Sequence, residues 1–174
     1  SGDIQTYIFG GTVSGYTSGG YRDGPANFNG IYKFSFASGV QNAAQIGIIT
    51  VARHQGASQS SKSHGYTSGG GPIASSGANV IDKFTFATDN DATDVGDTLT
   101  AIQYTSGNSS SNHGYICGNS PGTNVIQKFT FAVDADSTDV ANLSSARTGN
   151  AGQNASAYGY ATSGSASFNI IDKY

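Results

Sequence analysis

The chain of 174 residues has room for one domain of ordinary size, and such a domain buries roughly 70% of the surface its unfolded chain exposes. Only 11% of the residues are charged and the net charge is −3, with eight Lys and Arg against eleven acids, so the basic stripe that tracks a phosphate backbone is missing and nucleic acid is excluded as a partner. A lone cysteine excludes an internal disulfide and a cysteine-built zinc cluster, and no apolar run approaches the ~18 residues of a membrane span.

Nine Phe and ten Tyr nevertheless argue for a packed core. The surface must then consist mainly of Ser, Thr, Asn, Gln and Gly, a balance common in secreted and virion proteins. The chain begins without Met and shows no signal peptide, so it is expected to be a processed product, an excised fragment or a trimmed chain.

In chain order, "SGDIQTYIFGG" (residues 1–11) leads into "SGYTSGG" from Ser14, "NGIYKFSFA" from Asn29 and "AAQIGIITVAR" from Ala43. The same three phrases return as "SKSHGYTSGG" from Ser61, "NVIDKFTFA" from Asn79 and "TDVGDTLTAIQ" from Thr93. They return again as "SNHGYICGN" from Ser111, "NVIQKFTFA" from Asn124 and "TDVANLSSAR" from Thr138, and in part as "SAYGYATSG" from Ser156 and "NIIDKY" from Asn169. The Gly-Tyr pairs recur at intervals of 50, 49 and 45 residues, and the Asn-led phrase at 50, 45 and 45. Two markers keep one period, which establishes a repeat. Residues 1–11 read as a weak copy of the closing phrase, with Gly2-Asp3 standing where Gly96-Asp97 stand.

Each unit breaks into short apolar-alternating runs separated by Gly, Ser, Asn and Asp; in the second unit they cover about 64–69, 79–87 and 95–103, followed by the lead-in to the next phrase. In "NVIDKFTFA", Val80, Asp82, Phe84 and Phe86 point one way and Ile81, Lys83 and Thr85 the other. Apolar groups on both faces suit a strand between two layers. Four strands per ~45 residues is the pattern of a β-propeller blade. The expected fold is a single all-β domain over 1–174, a four-bladed propeller with units at about 15–64, 65–113, 114–158 and 159–174 completed by 1–14. Pairing of the N- and C-terminal strands would close it as a monomeric ring. The aromatic pairs Phe34/Phe36, Phe84/Phe86 and Phe129/Phe131 are expected to fill the layers between blades.

"GYTSGGGPIASSGANVIDKFTFATDNDATD", with the Arg-ended "VAR" at 51–53 and "SAR" at 145–147, resembles kelch repeats along the whole chain. The wording is most similar to kelch-like tandem repeats of marine phage and metagenomic proteins, a group of unassigned function in which structural and tail-fibre roles are suspected. The chain departs from kelch blades in having no Trp and from kelch rings in having few blades. The resemblance implies a viral, extracellular or virion-associated setting.

His64 and His113 share one repeat position, filled by Tyr158 and Ser14 in the other units. On the link from one blade to the next they would ring a mouth of the central channel as ligand contacts; the alternative is a polar cap at a strand start. Arg53, Arg147 and Tyr104 join them as candidate ligand-binding residues. The segments "HQGASQSSKS" from His54, "YTSGNSSSN" from Tyr104 and "TGNAGQNASA" from Thr148 are expected to form loops on one face. They offer neutral hydrogen bonds and aromatic platforms, the chemistry that sugars require. "YRDGPANF" from Tyr21 would lie on the opposite face.

Lys33, Lys83, Lys128 and Lys173 recur in register. They either line a channel for an anion or stitch blades together, and the cost of an unpaired buried Lys favours stitching. "DNDATD" from Asp89 and "DADSTD" from Asp134 have alternating oxygens like a calcium loop but lack its Gly and closing Glu, so turn formation accounts for them. Cys117 reads as a small buried filler. No nucleophile elbow, phosphate loop or metal-binding His pair is present, so no catalytic residue, metal or cofactor is assigned. The expected function is non-enzymatic binding, as a phage or viral adhesion module recognising surface glycans. The alternative is a structural or protein-interaction module of a virion or fibre, contacting other virion proteins.

Overall fold

The alternation in "NVIDKFTFA" becomes a strand with two buried faces. In the computed structural model, β6 (Ala78–Thr85) sends Asp82 and Phe84 towards the sheet before it and Ile81 towards the sheet after it. The structure describes residues 13–21, 27–36, 42–71, 78–155, 157–165 and 169–174. Among them every regular element is a strand, all pairing is antiparallel, and the strands fall into four sheets.

The first sheet holds β1 (Ser14–Tyr21), β2 (Asn27–Ser35) and β3 (Ala44–Ile48). In the second, β4 (Ala57–Ser60), β5 (His64–Ser68), β6 and β7 (Thr93–Ile102) follow one another as a meander. The third repeats this with β8 (Ser106–Ser109), β9 (His113–Cys117), β10 (Thr123–Thr130) and β11 (Thr138–Arg147). The fourth holds β12 (Ala151–Asn154), β13 (Gly159–Thr162) and β14 (Ile171–Lys173). The repeat period is kept but its phase moves. The second and third sheets run over 57–102 and 106–147, each starting earlier in the chain than the Gly-Tyr phrase. Closure of a ring by residues 1–14 falls almost wholly on 1–12, outside the described residues.

The Gly-Tyr phrase has a packing explanation. Gly65 lies opposite Phe84 across the β5–β6 pair, and a Cβ there would come within 2.3 Å of the Phe84 ring. Gly15 opposite Phe34 and Gly114 opposite Phe129 are equally crowded. The glycine leaves room for a ring from its own sheet, and the next residue, Tyr, points to the other face, where it stacks on the following sheet. Tyr16 stacks on Phe86 (centroids 4.7 Å apart) and Tyr66 on Phe131 (4.8 Å). Around these contacts lie three apolar layers. Ile31 and Ile49 meet Phe84 between the first two sheets; Tyr66, Ile81 and Ile102 meet Ile116 and Phe129 in the middle; Ile126 and Leu143 meet Ala161 and Tyr174 at the end. Full burial of each such side chain contributes about 1.5–3 kcal/mol.

Polar ties reinforce the layers. Lys33 reaches Asp89 (3.1 Å) and Lys83 reaches Asp134 (2.5 Å), each in the turn of the following sheet. Asp91 and Asp136 in the same turns accept from Ile48 N and Asp97 N of the preceding sheet. Lys33, Lys83 and the Asp turns they reach are therefore stitches, whereas Lys173 lies over the Tyr158 ring of its own sheet; among the described residues no three His, Cys, Asp or Glu side chains converge as a metal site.

Adjacent sheets converge along β4, β8 and β12 and lie farther apart at β7 and β11. Small residues permit this: a Cβ on Gly107 would fall 2.2 Å from the Ser58 carbonyl oxygen, and one on Gly152 2.5 Å from that of Gly107. The sequence predicts loops over these segments because they lack apolar alternation. Each contains an inner strand instead, held by its β-ladder and by the neighbouring backbone rather than by strand propensity. No helix of the described residues is long and apolar enough to cross a membrane.

Candidate functional site

A cavity of about 320 Å³ lies where the four sheets converge, and each contributes to its wall. Ser58 and Ser60 come from β4, Ser109 from β8 and Asn154 from β12, while β1 presents Ser14 and Tyr16. Tyr66, Phe84 and Phe86 supply the apolar part, and Phe36 stands among the lining residues. The volume is at the small end of ligand sites.

The polar wall is ordered before any ligand arrives. Ser60 N donates to Ser109 Oγ at 2.9 Å, and Ser109 N donates to Asn154 Oδ1 at 3.1 Å. Asn108, buried behind them, donates its Nδ2 to Gln153 O and Asn154 Oδ1. Ser109 Oγ already accepts one bond and retains a proton to donate, and Asn154, with its oxygen occupied, offers its NH2 group. Among the described residues, no lining side chain carries a formal charge. The wall is thus a neutral set of hydroxyls and an amide facing aromatic carbon, suited to a neutral polyhydroxylated ligand. Among the described residues it holds no acid–base pair and no cluster of metal ligands.

The six sequence-predicted residues separate into two groups. His64 and His113 open β5 and β9 and directly follow hairpins within one sheet, not links between sheets. Each has its backbone N held by a Ser hydroxyl, Ser61 and Ser110 respectively, at 3.0 Å. The His64 ring receives or donates a bond at Ser63 Oγ (2.8 Å). Burial and then the nearby Lys83 lower the pKa of His64, favouring the neutral ring. Tyr158 stands at the same end of the strands, under the Lys173 ammonium (3.8 Å to the ring centroid). These three lie outside the cavity wall, whereas Ser14, which shares their repeat position, is in it.

Arg53, Arg147 and Tyr104 lie at the opposite ends of the strands. Arg53 and Arg147 are fully buried: Arg53 pairs with Asp82 (2.7 Å) and donates to Thr67 O, and Arg147 pairs with Asp172. Both guanidiniums are buried in ion pairs between sheets, and neither is among the residues that line the cavity. Tyr104 is exposed on the link between the second and third sheets, with φ of 56°.

The residues that do form the cavity, Ser58, Ser60, Ser109 and Asn154, belong to segments noted for their Ser, Asn and Gln content but predicted as loops. The available signal was the fixed offset of "ASQS", "SGNS" and "AGQN" before the last three Gly-Tyr pairs. Cys117 is buried; burial pushes its thiol up to about 11, and its Sγ lies 2.8 Å from Tyr174 Oη. The chain matches no family model, and no curated protein is similar to it. The kelch-like resemblance therefore rests on the repeat phrases themselves.

Proposed function

We propose that this chain is a non-enzymatic binding module, a kelch-like propeller in which the four sheets are the blades and the central cavity takes a neutral glycan. The observation that carries the reading is the cavity wall, where oriented hydroxyls and an amide face aromatic carbon with no charged side chain among the described lining residues. An extracellular or virion-associated setting, as in a phage adhesion protein, is supported by the surface rich in Ser, Asn and Gly and by the phrases that resemble phage repeats.

A glycan array followed by titration with the best sugar tests this. Saturable binding is expected, and Ser58→Leu, which places an isobutyl group in the cavity, should weaken it about tenfold or more without lowering the melting temperature. Absence of saturable binding to any glycan would defeat the proposal. It would leave the second reading, a structural or protein-interaction module of a virion or fibre. That reading is favoured by the exposed apolar groups on the first and last sheets, Phe36 and Ile171.

A further inference from the structure

The same joint is made three times inside this chain. One sheet offers a socket of Tyr and Ile, and the next inserts an aromatic plug. Tyr16 and Ile31 receive Phe84 and Phe86; Tyr66 and Ile81 receive Phe129 and Phe131; Tyr115 and Ile126 receive Tyr174. The three socket isoleucines are 0–1% exposed. An inner-strand amide locks two of the joints: Gln59 Nε2 donates to Tyr115 O at 3.1 Å, and Asn108 Nδ2 to Tyr160 O at 3.4 Å.

The fourth sheet carries the same socket, with Tyr160, Ile171 and the amide of Gln153 in the matching positions. Among the described residues nothing fills it: Ile171 is 69% exposed, and Gln153 is exposed as well. The first sheet carries the plug. Phe34 and Phe36 stand edge to face at 5.6 Å and 87°, almost as Phe84/Phe86 (5.9 Å, 75°) and Phe129/Phe131 (5.7 Å, 79°) do inside their joints. Phe36 is 57% exposed. The plug is thus pre-formed on its face of the first sheet, and among the described residues no socket receives it.

Charge does not oppose burial of this face. At the first and third joints, Asp82 and Asp172 on the plug side need an Arg from the preceding sheet. Tyr32 occupies that position in the first sheet, so covering the face strands no carboxylate.

We propose that the open socket of one molecule receives the Phe34/Phe36 plug of a second copy of this chain, continuing the internal joint from molecule to molecule. Gln153 would then reach the Tyr16 carbonyl of the second copy, as Gln59 and Asn108 reach theirs. The joint is heterologous, a plug against a socket, so copies associate head to tail and either close a ring or extend as a filament.

Light scattering coupled to size exclusion tests the proposal on the full chain. The wild type is expected at a mass of two copies or more, dissociating on dilution. Phe36→Asp and Ile171→Asp should each lower the mass to that of one chain while keeping a β-sheet circular-dichroism spectrum. Mixing the two variants should restore a dimer, since one retains the socket and the other the plug. A monomeric wild type at all concentrations overturns the proposal. Unfolding of either single variant overturns it too, because that would place these residues in an intramolecular joint. Failure of the mixed variants to associate overturns it as well.

Discussion

The joint between the first and second sheets and the joint between the second and third have the same apolar stacking but different polar chemistry. In the first, Arg53 from one sheet meets Asp82 from the next, both buried, and Thr50 adds two bonds to the same carboxylate. In the second, buried Ile102 stands at the Arg position and Gln127 at the Asp position; Gln127 Oε1 accepts from Leu99 N and Ser137 Oγ. Both partners change together. Two sheets therefore stack without an Arg–Asp pair, and the ion pair adds a condition on which sheet follows which: a sheet offering Asp fits behind one offering Arg, and a sheet offering Gln behind one offering Ile.

The largest effect should come from breaking the charged joint on one side only. Asp82→Ala leaves the Arg53 guanidinium buried and unpaired and is expected to cost ~3–5 kcal/mol in urea unfolding. Gln127→Ala leaves only the Leu99 amide and Ser137 hydroxyl unsatisfied and should cost ~1–3 kcal/mol. The double change Arg53→Ile with Asp82→Gln converts the first joint to the chemistry of the second. It should recover stability to within ~1 kcal/mol of the wild type, and a double variant as unstable as Asp82→Ala would show that the two joints are not interchangeable.

Next in size, Gly65→Ala and Gly114→Ala test the part that the two joints share. A methyl against the Phe84 or Phe129 ring forces the plug to shift and should cost ~1–3 kcal/mol at either joint. A clear difference between them would show that the ion pair also fixes the position of the plug.

The third joint, with Arg147–Asp172, adds a pH signature at Cys117. Its thiol has a folded pKa raised to about 11, against ~8.5 for a free cysteine. A raised pKa means the neutral form is favoured by folding, so this contribution is complete below pH ~8.5 and is lost as pH rises towards 11. Urea unfolding from pH 8 to 11 should show that decline, and Cys117→Ser should flatten it. The smallest effect is expected at the exposed ties. Lys83→Ala should cost ~0–1 kcal/mol and become indistinguishable from wild type in 1 M salt, since Asp134 is largely solvated.

Much of the fold could be read because its residues act through short-range pattern. Phe84 and Phe86 alternate with Ile81 and Lys83, and the structure places them on opposite faces as that alternation requires. The recurring Lys33 and Lys83 meet the recurring Asp89 and Asp134. What escaped sequence reading were positions decided by another sheet. The inner strand Ser106–Ser109 contains no strand-forming apolar residue and exists because backbone can pack on either side of it. Arg53, with no acid nearby in sequence, finds Asp82 29 positions away only when two sheets stack. The cavity is built from residues of all four sheets, so no local phrase announces it.

Sequence alone determines that one phrase is written four times and that its strands carry apolar groups on two faces. Tertiary structure decides which edges converge, where a cavity opens and which copies of the phrase are covered. Ile81 and Ile171 occupy the same place in the same phrase, yet one is buried and the other 69% exposed. Burial depends on the sheet that packs against a residue, and that neighbour is not encoded in the phrase itself.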